Sequence, residues 1–544
     1  MNRLFPDRYA LCSAAAAALM LVCSAPGTTV HAQQVDGKTC NGDMQSGIVD
    51  VADDASAHLR LRQLQGNAPL TALTVRRPSL DRQRARCVSA ADSTSRTFQL
   101  SLLPVRLRTI YNSAYPVDVN NGAMWSGRGV TSAVSAGLEV RAGAFSAALY
   151  PLAVHHENRE FQLALGSTGR SPFAYAWHII DWPQRHGPTP FWTFDPGQSY
   201  LRAEAFGLTA GISTENLWLG PAQRMPILMG SSAPGFPHVF LATAQPLDIR
   251  IGRIDMQLFS ARLTESPYFD GDDSNDHLML AGLSAVFEPS FARGLFLGAN
   301  RMYLARGDTL SVRRYVVEPF IDVRGNPRGQ NQLMSLYARW AFPAVGFEVY
   351  GEWGREDAWG TWYDLLMEPD HAQVYMLGFQ KSGNWRGAAL RWYGELAHLQ
   401  SALPLRGGRG VITMYTHGEL LQGFTHRGQL LGAWIGPGSD AQLLGVERTT
   451  ARRTSGVMIE RVRSDDNAYY NVWAPFYGHS GHDVSLGTTL RHVEAYGPFR
   501  VGAALGVARR HNRNFVHFTG AQPGDFRAET NVQLDLDIQW LPRR

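Results

Sequence analysis

Residues 531–540, NVQLDLDIQW, alternate apolar and polar side chains without interruption. Successive side chains of a β-strand point to opposite faces, so this period of two predicts a strand with two different surfaces. The apolar face carries Val532, Leu534, Leu536, Ile538 and Trp540. The other face carries Asp535 and Asp537. A soluble β-sandwich and a membrane β-barrel both allow this pattern, and the rest of the chain has to decide between them.

The start of the chain indicates export. Residues 1–8 hold two arginines and are followed by the apolar run YALCSAAAAALMLVCSA and by Val-His-Ala at 30–32. A basic start, an apolar stretch and a small-residue cleavage pattern are typical of a secretory signal peptide. We therefore assign residues 1–32 to a signal that is removed at about Ala32.

Residues 33–97 are predicted to form a small periplasmic segment. Cys40 and Cys87 are the only thiols left after removal of the signal, and an even count in an oxidising compartment favours a disulfide between them. Two free thiols are the alternative. Between Cys40 and Cys87, the sequence DDASAHLRLRQLQG at 53–66 predicts one amphipathic helix. The helix begins near Asp53 or Ser56 and stops at Gly66.

The alternation of the C-terminal strand recurs along the chain in segments of about ten residues. Strands are predicted at 98–110, 130–143, 145–154, 199–207, 209–215, 249–262, 277–287, 295–304, 333–342, 346–354, 373–380, 386–398, 426–434, 441–449, 454–463, 484–493, 499–509 and 531–541. The count is eighteen, to within two. Long loops and short turns should alternate along a barrel, but this alternation breaks down between 216 and 332 and between 399 and 453, so at least one strand there is wrongly assigned. A missed strand in HVFLAT at 238–243 is one explanation.

Export, repeated strands and a chain without long apolar helices favour an all-β outer-membrane protein. After the signal no apolar run approaches the roughly 18 residues of a membrane helix, and only helices and closed barrels satisfy every backbone group in lipid. We predict a transmembrane antiparallel β-barrel over residues 98–544, surrounded by outer-membrane lipid and inserted by the barrel assembly machinery. Leu534 and Leu536 should face lipid, and Asp535 and Asp537 the lumen.

Other function classes find little support in the sequence. The net charge of +4 is small for 544 residues and does not indicate nucleic-acid binding. DGDDSND at 270–276 lacks the glycine and glutamate of an EF-hand, having Asn275 and Ala281 at those positions. His479, His482 and Asp483 in one short loop are a weak metal or acid/base signal. We predict neither a catalytic site nor a cofactor or metal.

Several motifs resemble those of one family. They are NNGAMWSGRG (120–129), STENLWLGP (213–221), SAPGFPHVFLAT (232–243), IGRIDMQL (251–258), THRGQLLGAWIGPGSD (425–440) and ERVRSDDNAYY (460–470). Together they resemble the Wzi capsule-assembly family, from about residue 57 to the C-terminus. The resemblance implies an outer-membrane barrel of eighteen antiparallel strands, with a small helical periplasmic part, that acts as a lectin for capsular polysaccharide. The chain departs from the family in its single legible helix and in the four residues that follow Trp540.

Two groups of candidate site residues follow. The first group, in and after ENLWLGP, consists of lumen or plug candidates, although the same side chains could bind sugar: Glu215, Asn216, Trp218 and Arg224. The second lies in or beside the loops 355–372 and 464–483, where aromatic rings could stack on sugar rings or form an interface girdle. Its members are Trp359, Trp362, Tyr363, Trp473, Tyr477, Arg355, Asp364 and Asp483.

Three functions remain open: a surface protein that binds and retains capsular or extracellular polysaccharide, a porin or substrate-specific diffusion channel, and an outer-membrane hydrolase. The polar faces of the strands distinguish the polysaccharide-binding protein from the diffusion channel. Charges of both signs can pair and fill the lumen, whereas a porin keeps water there. These charges are at Arg253, Asp255, Arg339, Glu348, Glu352, Arg391 and Glu395. We expect a plugged barrel that binds polysaccharide.

Mass spectrometry of the unreduced mature protein should detect a peptide pair joined by the predicted disulfide between Cys40 and Cys87. The chain-entropy model gives such a cross-link about 4 kcal/mol of stabilisation for a loop of this length. Alkylation of both cysteines without prior reduction would contradict the pairing.

Overall fold

The computed structural model describes residues 54–72, 98–164, 170–307, 329–356, 366–367, 369–401, 413–473, 481–516 and 527–542. The predicted N-terminal helix is present as α1, Asp54–Leu64. The strand segments are β1 (Phe98–Asn112), β2 (Gly129–Ala142), β3 (Phe145–Leu149), β4 (Leu152–His156), β5 (Phe191–Asp195), β6 (Tyr200–Ala205), β7 (Leu208–Ser213), β8 (His238–Thr243), β9 (Leu247–Ile249), β10 (Gly252–Thr264), β11 (His277–Pro289), β12 (Leu295–Arg306), β13 (Gln330–Phe342), β14 (Phe347–Glu356), β15 (Gln373–Trp385), β16 (Ala388–His398), β17 (Thr425–His426), β18 (Gln429–Leu430), β19 (Asp440–Thr449), β20 (Arg453–Ser464), β21 (Asp483–Tyr496), β22 (Phe499–His511) and β23 (Ala528–Trp540).

The remaining helical pieces are short. They are α2 (Asp466–Ala468), the 3-10 turns Pro343–Val345 and Arg513–Phe515, and the π-helical turn Tyr469–Trp473. Among the helices of the described residues, none is both long and apolar enough to cross a membrane.

All the strand segments except β17 and β18 form one closed antiparallel barrel of eighteen strands. Three barrel strands are interrupted, and each consists of two segments that pair with the same neighbouring strand. The pairs of segments are β3 and β4, β5 and β6, and β8 and β9. The first and last strands close the barrel, because β1 pairs with β23 from Val105–Trp540 to Asn112–Gln533. Closure leaves no edge strand, so every spanning backbone group finds a partner.

The predicted strand number is confirmed. One predicted strand was wrong, and the segments 191–195 and 238–243 were absent from the predicted list, although the second is suggested above as a missed strand. The predicted strand at 426–434 does not join the barrel; its first residues belong to the small separate hairpin β17–β18. The segment at 238–243, omitted from the eighteen, is the barrel strand β8. Residues 425–433 are buried except for the half-buried Arg427, so their apolar side chains pack inside the barrel and do not mark a lipid-facing strand.

The faces of β23 meet the surroundings predicted for them. Leu534 and Leu536 are 49% and 46% exposed on the outer surface. On the luminal face, the two aspartates each accept two hydrogen bonds from an arginine of β1: Asp537 from Arg106 at 3.0 and 2.9 Å, and Asp535 from Arg108 at 3.1 and 2.7 Å. These paired charges lie across the seam where the barrel closes.

The two ends of the barrel differ in their connections. Short turns, such as those at 143–144, 206–207, 386–387 and 497–498, lie at one end. All the long connections lie at the other, including 157–190, 357–372 and 465–482. Outer-membrane barrels place short turns in the periplasm and long loops outside the cell. By this rule the end of the barrel with the long connections faces the exterior.

Helix α1 lies inside the lumen towards the short-turn end. Arg60 of the helix and Arg339 of β13 both donate to the buried carboxylate of Glu348 on β14, the latter at 2.7 Å. Gln63 also accepts from Arg339, at 3.0 Å. Breaking such a buried ion pair by removing one partner typically costs about 3–5 kcal/mol, so these contacts hold the helix firmly against the wall.

A pair of neighbouring substitutions tests which face of β22 meets lipid. Leu505 lies at the middle of the strand and is 40% exposed, whereas Ala504 lines a luminal cavity. Leu505→Arg should lower the free energy of unfolding by about 2–4 kcal/mol, the cost of an arginine facing the bilayer midplane. Ala504→Arg should cost clearly less, because its guanidinium enters a cavity with a partly polar wall.

The measurement is urea unfolding of both variants in lipid vesicles, followed by tryptophan fluorescence and gel mobility of unheated samples. Equal losses of stability in the two variants would contradict the assigned faces.

Candidate functional site

The chain between β7 and β8, residues 214–237, lies inside the barrel and is named here inner segment 1. Glu395 on β16 fixes its middle, accepting the backbone N–H groups of Gln223, Arg224 and Met225, the last two at 2.9 and 3.1 Å. Arg224 in turn donates twice to Glu460 on β20, at 2.6 and 3.0 Å. Carboxylates from separate barrel strands therefore hold one stretch of backbone in the lumen.

Proline and glycine residues determine the backbone path of inner segment 1. Prolines at 221, 226, 234 and 237 fix the backbone torsion φ at successive bends. Gly220 has φ +89°, and a Cβ there would lie 2.5 Å from a carboxylate oxygen of Glu352. At Gly235 a Cβ would lie 1.9 Å from the carbonyl oxygen of Thr214. The LGP and PGFP turns thus need glycine for close packing against the wall and against the segment itself.

Residues 413–439, named inner segment 2, pack against the first. The buried hydroxyl of Tyr415 donates to the carbonyl of Ile227 at 2.5 Å and accepts from the backbone of Ala433 at 3.0 Å. Gly230 donates to Leu431 at 2.8 Å. The two segments share one apolar core with luminal side chains of the neighbouring wall, among them Phe259, Leu280, Met302, Tyr350 and Met376. They are therefore joined to each other and to β10–β15.

The structure places all four luminal candidates within inner segment 1. Trp218 is 2% exposed, and its indole N–H donates to the carbonyl of Ala222 at 3.0 Å. Asn216 donates to the carbonyl of Ala233 at 2.8 Å, and Glu215 accepts from Ser213 at 3.2 Å. With Arg224 bound to Glu460, these side chains are engaged by the protein, and the face of Trp218 is covered.

Two of the loop candidates lie at strand ends and are buried. Arg355 is near the end of β14, and Asp483 begins β21. Both oxygens of Asp483 accept from Arg510, at 2.6 Å each. Five other candidates lie outside the described residues: Trp359, Trp362, Tyr363, Asp364 and Tyr477. For Trp473 the backbone is described but the side chain is not. Arg355 and Asp483 are therefore engaged by the protein itself, and the grouping of the loop candidates into one site stays a prediction.

Several carboxyls at the loop end are buried. Burial raises the pKa of Asp181 to about 7 although Ser266 and Gly428 donate hydrogen bonds to it. Burial and the nearby carboxylates, Asp181 first among them, raise the pKa of Glu265 to about 9. At neutral pH Glu265 therefore keeps its proton. In the described part of the chain, no group of three or more His, Cys, Asp or Glu side chains could hold a metal ion.

Two cavities with mixed polar and apolar walls lie between the inner segments and the opposite wall. The first, of about 330 Å³, is bounded by inner segment 1, helix α1 and the strands around the seam. The second, of about 240 Å³, lies towards the loop end. Arg224, Thr489, Gly506 and Gln533 line both cavities. The two spaces therefore meet beside the Arg224–Glu460 ion pair.

Sequence reasoning named Arg224, Arg339 and Arg391 as luminal but missed the other basic side chains of the first cavity. Its wall includes Arg106 and Arg108 from β1, Arg491 from β21 and Arg500 from β22. Each lies on the polar face of a strand with alternating side chains, and this position was the sequence signal that could have identified it as luminal. Their convergence could not be inferred, because β1 and β22 become second neighbours only when the barrel closes through β23.

Comparison with known proteins gives one family and one fold. The sequence profile of the family described as capsule assembly protein Wzi matches residues 118–521. The Wzi outer-membrane protein of Escherichia coli, described as a carbohydrate-binding β-barrel involved in group 1 capsule assembly, has a similar structure. Its TM-score is 0.59 at 13% identity, covering 91% of this chain and 98% of that one.

Two other barrels are less similar. OccAB2 of Acinetobacter baumannii has a TM-score of 0.39 at 13% identity, covering 80% of this chain and 97% of that one. OprD of Pseudomonas aeruginosa has a TM-score of 0.38 at 10% identity, with 82% and 96% covered. Comparison with curated protein sequences gives no match. The profile match spans most of the chain, and the protein belongs to the Wzi capsule-assembly family of outer-membrane β-barrels.

Proposed function

We propose that the protein binds capsular or extracellular polysaccharide non-catalytically and retains it at the cell surface. Membership of the Wzi family carries this proposal, and the carbohydrate binding attributed to the similar E. coli barrel supports it. The long loops, at the end that faces the exterior by the general rule for such barrels, are where a polymer outside the cell first meets the protein.

The filled lumen favours binding over diffusion. Inner segments 1 and 2 cross the barrel interior, and the first is tied to β16 through Glu395 and to β20 through Glu460. Luminal charges elsewhere are also paired, as in the contacts of Glu348 with Arg60 and Arg339. A general porin keeps a water-filled channel, so we infer that the intact barrel conducts little.

Hydrolysis of the polymer has less support. A glycoside hydrolase needs two carboxyl groups directed at the bond that is cleaved. Here Glu395 accepts from three peptide N–H groups, Glu460 binds Arg224, and Asp483 binds Arg510. Carboxylates engaged in this way hold the fold together and are poorly placed to exchange protons with a substrate.

Weak contacts suffice if the polymer repeats. A single sugar stacked on an aromatic ring binds weakly, but several repeats engaged at once raise the effective affinity by factors of about 10²–10⁴. The outer-loop aromatic residues predicted from the sequence, Trp359, Trp362 and Trp473, supply such faces in this proposal. Neighbouring copies of the protein on one cell add further contacts with the same chain.

Cells that lack the protein should lose surface polysaccharide into the medium while still synthesising it. Replacing Trp359, Trp362 and Trp473 together by Ala should have the same effect if the outer loops hold the polymer. The measurement is the ratio of cell-bound to released polysaccharide, with total polysaccharide and barrel assembly as controls. Normal retention in the strain without the protein would defeat the function, and normal retention in the triple variant would defeat only the loop assignment.

Single-channel recording in planar bilayers tests the closed lumen. The wild-type protein should give little current, and deletion of residues 216–236 should open the barrel. Glu395→Ala should give intermittent larger currents, because three peptide N–H groups of inner segment 1 lose their acceptor. Glu494→Ala, which removes a carboxylate that binds Arg453 near a short turn, is the matched control and should behave like the wild type.

Large steady currents from the intact wild-type protein would support the diffusion-channel alternative. Quiet recordings from Glu395→Ala would show that this carboxylate does not hold the segment in place.

A further inference from the structure

We propose that the two connected cavities form one internal cleft that binds a uronate-bearing segment of the polysaccharide. The cleft lies between the inner segments and the wall formed by β19–β23 and β1. This inference rests on the proposed function and deepens it, because it names both the chemistry of the sugar and a place for it within the barrel.

The luminal wall has two contrasting halves. Three luminal glycines on β11, β12 and β15 lie under aromatic rings: a Cβ at Gly282, Gly298 or Gly378 would lie within 2.3 Å of Phe259, Tyr337 or Tyr350. On β22, a Cβ at Gly502 or Gly506 would meet nothing nearer than 3.5 Å. The inner segments thus pack tightly on one half and leave a slot along the other.

The inner part of the cleft is basic. Eight arginines line the first cavity, against three carboxylates, Glu447, Asp535 and Asp537. Four more carboxylates lie just behind this lining, bound to the arginines or to inner segment 1: Glu348, Glu352, Glu395 and Glu460. Arginines still outnumber carboxylates by eight to seven, so the cavity favours an anion. Arginine is also the side chain best suited to bind a carboxylate through two parallel hydrogen bonds.

The part of the cleft towards the loops offers aromatic faces. Trp182 and Trp434 line the second cavity together with Tyr115 and Tyr175. The indole nitrogen of Trp434 is buried and has no hydrogen-bond partner among the described residues. A buried donor without an acceptor is unfavourable, and a sugar hydroxyl would supply one. Rings beside polar groups suit the apolar face and hydroxyl edge of a sugar.

The size of the cleft also fits a saccharide. Its two parts have volumes of about 330 and 240 Å³. Sites for small molecules typically measure about 300–1,000 Å³. The structure therefore assigns the stacking contacts to the loop side and the charge contacts to the seam side, with Arg224 at the junction.

The test uses purified full-length protein in detergent and short fragments of the polysaccharide made by the same cells. The fragments are compared with the same material after chemical reduction of carboxyl groups to alcohols, and binding is followed by calorimetry and tryptophan fluorescence. The native fragments should bind at least ten times more tightly than the reduced ones. Equal affinity for both would overturn the assignment of an acidic sugar.

Two substitutions on β22 place the ligand. Gly506→Trp fills the junction of the two cavities and should weaken binding at least tenfold. Leu505→Trp puts the same ring on the lipid face of the adjacent position and should leave binding unchanged. Gel mobility of unheated samples confirms that each variant is a folded barrel. Gly506→Trp protein that binds like the wild type would overturn the internal site.

A charge variant gives a second route if Gly506→Trp fails to fold. Arg491→Gln combined with Arg500→Gln should weaken binding of the native fragments and leave the reduced fragments unaffected. Unchanged affinity of this double variant for the native fragments would overturn the basic cleft. Failure of the wild-type protein to retain the intact polymer on cells would instead defeat the proposed function, so the two failures are distinguishable.

Discussion

The carboxylate of Glu395 is the contact on which the interior of this barrel depends. Its two oxygens accept three consecutive backbone N–H groups of inner segment 1 and the hydroxyl of Tyr350, the latter at 2.8 Å. Backbone N–H groups buried without an acceptor cost about 1–3 kcal/mol each. A single acid on the barrel wall thus supplies the acceptors for three consecutive peptide N–H groups in the middle of a loop that lies inside the barrel.

This anchoring divides the lumen into a packed half and an open half. On the packed side, both inner segments share an apolar core with the wall, and their close approach relies on glycines lying under aromatic rings. On the open side, β22 presents Gly502, Ala504 and Gly506 to the cavities. The same arrangement that fills one half of the lumen leaves a slot, and in our proposal its arginines and aromatic rings suit an acidic sugar.

Much of the architecture was predictable, because lipid and lumen impose opposite demands on alternate side chains. Leu536 and Asp535 show this directly, and α1 was recognisable from its own local pattern. The hairpin at 425–430 was assigned wrongly, since a segment buried at nearly every residue loses the polar face that marks a strand in contact with lipid. The contact of Arg224 with Glu460 was beyond prediction, because it depends on how a distant loop folds back into the closed barrel.

Hydrogen–deuterium exchange tests the central claim, that inner segment 1 is a fixed part of the barrel, most directly. In the folded protein, the amides of Gln223, Arg224 and Met225 should exchange as slowly as those of the neighbouring strands β14 and β16, because each donates to the buried carboxylate of Glu395. In Glu395→Ala they should exchange much faster while the strands stay protected. Rapid exchange of these three amides in the wild-type protein would contradict the account.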